Sequence, residues 1–414
     1  MNRRLLMCIV LVLAAFASAP AFARAQSLPP PPSGGPPPDP AETAKIKLGP
    51  LFMQPSFGFK NVGLDNNVFN EPADPKRDWA ATLSLGTVAG LRYRASRLTV
   101  NTSTDYLYFA KYKSERSIDS NTRLQFEVRT PRIRPWIGMD RVKSHERLGL
   151  EIDARAGREM PSYDAGVEYK VGFRLGTRLI ARQRKVDYLD EEEFRGVVLK
   201  NTLNAKYQEG AVQLLYELSP LSSMRTSIEF SRSNFETATR RDAKDFSVLL
   251  GIEGKQDAFI EGYIDVGWKE RTPIDETAPA YSGLIARAAA SFILWEQLRI
   301  AFAVDRDVPY SYEEFYTFYV QEGGASTVTW RPHQRLDLFV QGRGYYARYE
   351  QGLDERALLR TDKVYSYGAG FGFFIKGYPG TRVGLTAERA VRDSILADRR
   401  YDTPRIFTNI GFSF

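Results

Sequence analysis

The chain has 414 residues, of which 43% are hydrophobic, 13% aromatic and 26% charged, with a formal net charge of +7. Beyond residue 25 no apolar run approaches the roughly 18 residues that a membrane-crossing helix needs, which excludes a helical membrane protein. Cys8 is the one cysteine, so the chain beyond it can build neither a disulfide framework nor a thiolate metal site.

Residues 1–25 read as a secretory signal peptide. Arg3 and Arg4 supply the basic start, Leu5 to Ala17 the apolar stretch, and Ala23-Arg24-Ala25 a small-x-small cleavage site that leaves Gln26 as the new N-terminus. Cys8 stands at the start of the apolar stretch, whereas a lipidated cysteine follows it. Removing the three leader arginines lowers the net charge from +7 to +4. That is mild for this length and, with export, gives no ground for a nucleic-acid partner. Residues 26–46 follow as an arm rich in proline, with Pro29 to Pro32 and Pro36 to Pro38 around Ser33-Gly34-Gly35. Such a segment buries no apolar surface and is expected to be an extended, disordered periplasmic spacer.

From Leu51 onward the pattern has period 2. Leu98, Val100, Thr102, Thr104, Tyr106 and Tyr108 alternate with Thr99, Asn101, Ser103 and Asp105. Leu124, Phe126 and Val128 alternate with Arg123, Gln125, Glu127 and Arg129; Leu175, Thr177, Leu179 and Ala181 alternate with Gly176, Arg178 and Arg182. Successive strand side chains point to opposite faces, so one face is repeatedly apolar and the other polar or small. Many of these runs extend for about 10 to 15 residues, past the usual 5 or 6 of soluble sheets, and a tilted strand crosses a bilayer in about 9 to 11.

The links alternate in length. Short ones such as Thr130-Pro131-Arg132, Ser219-Pro220-Leu221-Ser222 and Lys376 to Gly380 separate long polar ones such as Gly63 to Asp78, His145 to Pro161, Asp187 to Leu199 and Ser394 to Pro404. Short periplasmic turns and long extracellular loops are the pattern of a transmembrane antiparallel β-barrel, here of about 18 strands over residues 47–414. An even count puts both ends in the periplasm. A bulge is expected at Gly323-Gly324, and one strand plus a long loop between Val197 and Leu218. The pairs Tyr106/Tyr108, Tyr345/Tyr346 and Tyr365/Tyr367 are read as interfacial girdles. The final strand, with Ile406, Thr408, Ile410, Phe412 and Phe414 on one face, resembles the closing strand of bacterial outer-membrane proteins. In those proteins the terminal aromatic residue engages the barrel-assembly machinery.

Gly49-Pro50-Leu51-Phe52-Met53-Gln54-Pro55-Ser56-Phe57, followed by Leu64-Asp65-Asn66-Asn67-Val68-Phe69, resembles the opening of the beta-barrel porin-2 family of Gram-negative outer-membrane proteins. Tyr216 to Ser222 and Arg306 to Tyr312 are similar to two later turns of that family. The resemblance spans Lys47 to Phe414 and implies a channel in the cell outer membrane. It implies outer-membrane lipids and lipopolysaccharide as surroundings, and carries over no catalytic residue and no cofactor.

With the apolar face in lipid, Glu168, Lys170, Arg174, Arg178, Arg182, Arg184, Asp305 and Asp307 line the lumen, with Glu229, Glu261, Asp265, Asp337, Arg343, Arg382 and Glu388 on the same side. Slipping the register by one residue would put these charges in lipid, at about 2–4 kcal/mol for each Arg or Lys at the midplane. The arginine ladder is expected either to attract anionic solutes or to sit in cross-strand ion pairs. The acidic run Asp187, Asp190 to Glu193 is a solvated loop or an oxygen site for a divalent cation. His145 and His333 fall at opposite ends of the barrel and cannot share a site, which argues against an enzyme. The expected activity is passive diffusion of small hydrophilic solutes. The alternatives are exopolysaccharide export, with lumen aromatics such as Phe339 and Tyr345 stacking on sugars, and a structural barrel with a plugged lumen.

Overall fold

The computed structural model describes residues 44, 46–147, 150–255, 260–295, 297–350, 352–353, 359–375 and 381–413. The segment read as a signal peptide, the proline-rich arm apart from Ala44 and Ile46, and Phe414 lie outside the described residues.

Alternation folds this chain into eighteen long strands. In order they are β1 (Leu51–Asp65), β2 (Asp78–Tyr93), β3 (Ser96–Phe109), β4 (Ser117–Val128), β5 (Ile133–Ser144) and β6 (Arg158–Lys170). Then come β7 (Leu175–Tyr188), β8 (Ala205–Ser219), β9 (Ser222–Phe235), β10 (Ala243–Gly254), β11 (Glu261–Pro273) and β12 (Tyr281–Leu294). The last six are β13 (Leu298–Asp307), β14 (Val320–His333), β15 (Leu336–Tyr349), β16 (Arg360–Phe374), β17 (Arg382–Asp393) and β18 (Tyr401–Ser413). Each pairs antiparallel with its neighbours in the chain, and β1 closes the sheet on β18, with Leu64 opposite Ile406. Closure removes the sheet edges that a bilayer could not satisfy.

The strand β10 shows why the wall stands where it does. Phe246, Val248, Leu250 and Ile252 are exposed, while Asp245, Ser247, Leu249, Gly251 and Glu253 between them are buried. Exposed Trp79, Leu85, Ile118, Ile137, Leu214, Phe230, Trp268 and Leu284 continue the belt on other strands. An apolar surface of this extent belongs against lipid. A 14-residue strand rises about 46 Å and, tilted near 45°, covers about 33 Å, enough for the hydrocarbon core.

Short turns gather at one end, with the start of β1 and the end of β18. The other end carries the links 66–77, 110–116, 145–157, 189–204, 236–242, 274–280, 308–319, 350–359 and 394–400. The segment between Val197 and Leu218 holds one long strand, β8, preceded by a loop with the one-turn helix α1 (Leu199–Leu203). The links 110–116 and 308–319 are additional to those read from the sequence.

Three local features differ from expectation. The register runs unbroken through Gly323-Gly324, and β14 bulges between Trp330 and His333 instead. Gly323 is small because a Cβ there would meet the Gly344 carbonyl at 2.2 Å and the Tyr345 ring at 2.6 Å. Tyr345 shares the inward face with Val364, whereas Tyr346 is exposed opposite Lys363, since neighbours along a strand take opposite faces. Finally, β1 bulges at Lys60 to Gly63, where Asn61 adopts φ 52° and its N–H donates to the Asn409 side chain at 2.9 Å.

Candidate functional site

The inward face of β6 to β12 carries a continuous run of opposite charges. Arg178 is 3% exposed. It donates to Glu168 at 2.9 Å and 3.2 Å, to the Gln213 side-chain oxygen at 3.0 Å, and to Glu253 at 3.5 Å. Glu253 also accepts from Arg225 at 3.0 Å, Arg225 reaches Asp265 at 2.6 Å, Asp265 accepts from Arg287 at 3.0 Å, and Arg287 pairs with Glu229 at 2.6 Å. Lys170 pairs with Glu217 at 3.2 Å. On the opposite wall Arg382 forks onto Asp337 at 2.6 Å and 2.7 Å.

The remaining residues singled out in the sequence fall in different settings. Arg174 is exposed in the turn before β7, outside the strand on which it was placed, because β7 begins one residue later. Arg182 and Arg184 face inward, and among the described residues the one acid within 4 Å of them is Glu209, at 3.9 Å and 4.0 Å, beyond hydrogen-bond reach. The Arg184 guanidinium lies 4.5 Å over the Tyr207 ring. Asp305 accepts from the Gln321 amide at 2.5 Å, and Asp307 pairs with Lys269. The structure therefore joins Glu168 to Arg178 and leaves Arg182 and Arg184 the least engaged of the ladder.

Above this wall two links fold into the barrel mouth. In the link 308–319, Val308, Tyr310, Tyr312, Tyr316, Phe318 and Tyr319 are all buried, as are Leu150, Ile152 and Ala156 of the link 145–157. Tyr310, Tyr312, Ile152 and Ala156 pack with Phe194, Leu199, Leu203 and Phe235 in one cluster, Tyr316 and Tyr319 with Tyr349 in a second, where Tyr319 stacks on Tyr349 at 5.4 Å, and Val308 and Phe318 with Val320 in a third. Charges latch the two segments together. Glu151 accepts from the Ser311 hydroxyl at 2.5 Å, the Tyr312 N–H at 2.9 Å and the Tyr349 hydroxyl at 2.9 Å. Glu313 pairs with Arg360 and with Arg399 at 2.9 Å, and Arg399 also donates to the Glu151 carbonyl at 2.5 Å. Arg392 bridges Asp153 at 3.1 Å and Asp362 at 2.7 Å. The sequence reading missed Glu151, Glu313, Arg360, Arg392 and Arg399. The one signal was five aromatic residues between Tyr310 and Phe318, more than a solvated loop would carry.

Burial and the neighbouring Glu313 push the Glu151 carboxyl up to about 7. A displaced link would return it to the ordinary range, about 4.3. Below that range both states are protonated and the latch has its full strength; as pH rises towards 7 the displaced state ionises first and is favoured. Conductance is therefore expected to rise between pH 5 and pH 8, and Glu151→Gln to flatten that rise; an identical profile in the variant would contradict the assignment.

Within the acidic run, Asp187 meets Lys185 at 2.7 Å and Asp190 meets Lys200 at 3.1 Å, and Glu192 lies 3.6 Å from the His145 ring. Among the described residues no three His, Cys, Asp or Glu side chains are grouped to hold a metal ion. His145 lies at the loop end and His333 at the turn end.

A closed β-barrel with an apolar outer wall, an ion-paired polar interior and loops drawn into its mouth is an outer-membrane channel protein. The chain belongs to the family described as "Putative beta-barrel porin 2", whose model matches residues 39–412, and it is accordingly a porin for small solutes in the outer membrane. No curated protein matches it. Among solved structures it is similar to a BenF-like porin from Pseudomonas fluorescens Pf-5, with TM-score 0.50 and 9% identity over 89% of this chain and 100% of that one. OpdK of Pseudomonas aeruginosa, solved with vanillate, gives TM-score 0.48 and 10% identity over 87% and 99%. OccK3 (OpdO) of the same organism gives 0.47 and 13% over 87% and 95%. The likeness is one of fold.

Proposed function

We propose that the barrel is a narrow, weakly ion-selective path for passive diffusion of small hydrophilic solutes, constricted at its loop end by the links 145–157 and 308–319. The observation that carries this reading is the pairing of the wall. Arg178, Arg225 and Arg287 each stand against carboxylates, so the ladder's lower rung presents little net positive charge to a solute. Arg182 and Arg184 are the rungs left to act on permeating anions. In planar bilayers under a salt gradient, the Arg182→Gln/Arg184→Gln pair is expected to move the reversal potential toward cations, while Arg178→Gln/Glu168→Gln, which removes both charges of one pair, leaves it near the parent value. A shift in the second without the first would reverse this assignment.

We read the barrel as a non-catalytic one, exported by the residue 1–25 signal peptide, with the proline-rich arm as a periplasmic spacer. Phe414 is its address to the assembly machinery, and lipopolysaccharide is its outer-leaflet surrounding. The loop latch favours one second reading, a structural barrel with a plugged lumen. Conductance that stays absent after the latch is cut would select that reading over a channel.

A further inference from the structure

The outer wall is not uniformly convex. From β3 to β11 it holds an open groove of about 1090 Å³, and the register shows how it is made. One hydrogen-bonded row runs Leu98, Phe126, Ile137, Ala165, Ala181, Gly210, Phe230, Phe246, Glu270 across nine strands. Its middle three members are small, so the wall between Ile137 and Phe230 is hollowed. The next row toward the loops runs Leu124, Met139, Tyr163, Gln183, Gln208, Arg232, Lys244, Thr272. With strands tilted near 45°, a row perpendicular to them also slants across the membrane. Leu98 lies near the turn end of β3 and Glu270 near the loop end of β11. The groove therefore has an apolar foot deep in the bilayer and a polar head at the loop-side surface.

That head is basic. Arg232 and Lys244 stand directly opposite each other on β9 and β10, both exposed, and neither is paired with an acid among the described residues. Arg232 donates only to the Asn234 side chain, at 3.1 Å. Lys206, exposed two residues nearer the loops than Gln208 on β8, adds a third cation. Like charges opposed across strands are destabilising unless an anion sits between them. Several other outer-wall cations are answered by the protein itself: Arg306 and Arg348 by Glu322, and Arg389 by Asp402 at 2.5 Å.

We propose that this groove is a binding site for one phosphorylated glycolipid of the outer leaflet. Its acyl chains lie along Ile137 and the Ala165–Ala181–Gly210 hollow, and its phosphate is held between Arg232 and Lys244. The assignment rests on the barrel standing in the outer membrane. A second copy of the chain would fill the apolar foot but would bring no anion to the head.

The test uses the purified full-length barrel in detergent, with diphosphoryl lipid A as probe, its dephosphorylated form as comparison, and bound lipid counted by native mass spectrometry. Conductance, measured in parallel, reports on the porin reading independently. Arg232→Gln/Lys244→Gln is expected to weaken binding about 30-fold, since each basic residue near an anionic lipid surface contributes about a factor of five. Gly210→Phe, which fills the hollow where a Cβ meets nothing closer than 3.9 Å, is expected to displace the lipid without unfolding the barrel. Lys363→Gln, on the far wall, should leave binding unchanged. The proposal is overturned if the dephosphorylated lipid binds equally, if neither groove variant loses lipid, or if Gly210→Phe changes the oligomeric state while lipid binding stays the same.

Discussion

Excising Ser311 to Thr317 and joining Tyr310 to Phe318 through a short Gly-Ser link should raise the single-channel conductance several-fold. The link 308–319 enters the barrel through a narrow neck. Tyr310 and Phe318 face each other in an isolated bridge, the Ser311 N–H donates to the Thr317 carbonyl at 3.1 Å, and the Tyr319 N–H donates to the Pro309 carbonyl at 3.1 Å. A cut at the neck therefore leaves the flanking strands in place. It removes Tyr312 and Tyr316 from the buried mouth and takes Glu313 away from Arg360 and Arg399. Those arginines, like Glu151, would then face water in the widened mouth, which spares them an unpaired burial. The gain should be largest at low pH, where the parent latch is strongest, so excision should also reduce the pH dependence assigned to Glu151. Unchanged conductance at every pH would show that the link does not set the constriction.

The second large effect concerns Arg271, which ties the wall to that same link. Its guanidinium forks onto Asp245 with two bonds of 2.8 Å, donates to the Val308 carbonyl at 2.7 Å, and lies 4.3 Å over the Tyr310 ring. Both partners of the pair are buried. Arg271→Met leaves Asp245 buried without its cation, and breaking a buried pair from one side costs about 3–5 kcal/mol. That loss is expected in urea unfolding of the barrel in lipid vesicles, together with flickering conductance as the link loosens. Arg271→Met/Asp245→Leu, which removes both charges, should recover much of the stability but not the steady conductance. Arg271→Lys keeps the charge and loses the fork, and should fall between the two. A single variant as stable as the parent would show that the pair is solvated.

The contrast between wall and mouth explains what could be read from the chain alone. The wall was legible because every residue on it obeys one constraint. Leu124 and Phe126 must meet lipid, so Arg123 and Gln125 must not, and a slip of one residue would reverse both. That constraint is local, repeats through the chain, and places the strands and their facing without knowledge of any partner. The ladder was legible in facing but not in use. Arg178 and Arg182 are equivalent in the sequence pattern, and only the pairing of three strands puts Gln213 opposite one and Glu209 opposite the other. The mouth obeys no period. Ser311 meets Glu151 across 160 residues of sequence, and Arg399 meets the Glu151 carbonyl across 248. Neither contact leaves a trace in local spacing. Gly323 misled for a related reason: a glycine in a strand marks either a bulge or a close approach, and here the Tyr345 ring, more than twenty residues away, makes it the latter.

The alternation itself can be measured directly, because Cys8 is the only cysteine and precedes every strand of the barrel. Single cysteines at Ile228, Glu229, Phe230 and Ser231 of β9, labelled with a small fluorophore in reconstituted vesicles, would sample both faces of one strand at adjacent heights. Brominated lipid chains should quench the labels at positions 228 and 230 and spare those at 229 and 231, while a water-soluble quencher entering the lumen should do the reverse. Equal quenching at all four positions, or a barrel that stays soluble and monodisperse without detergent, would contradict the account.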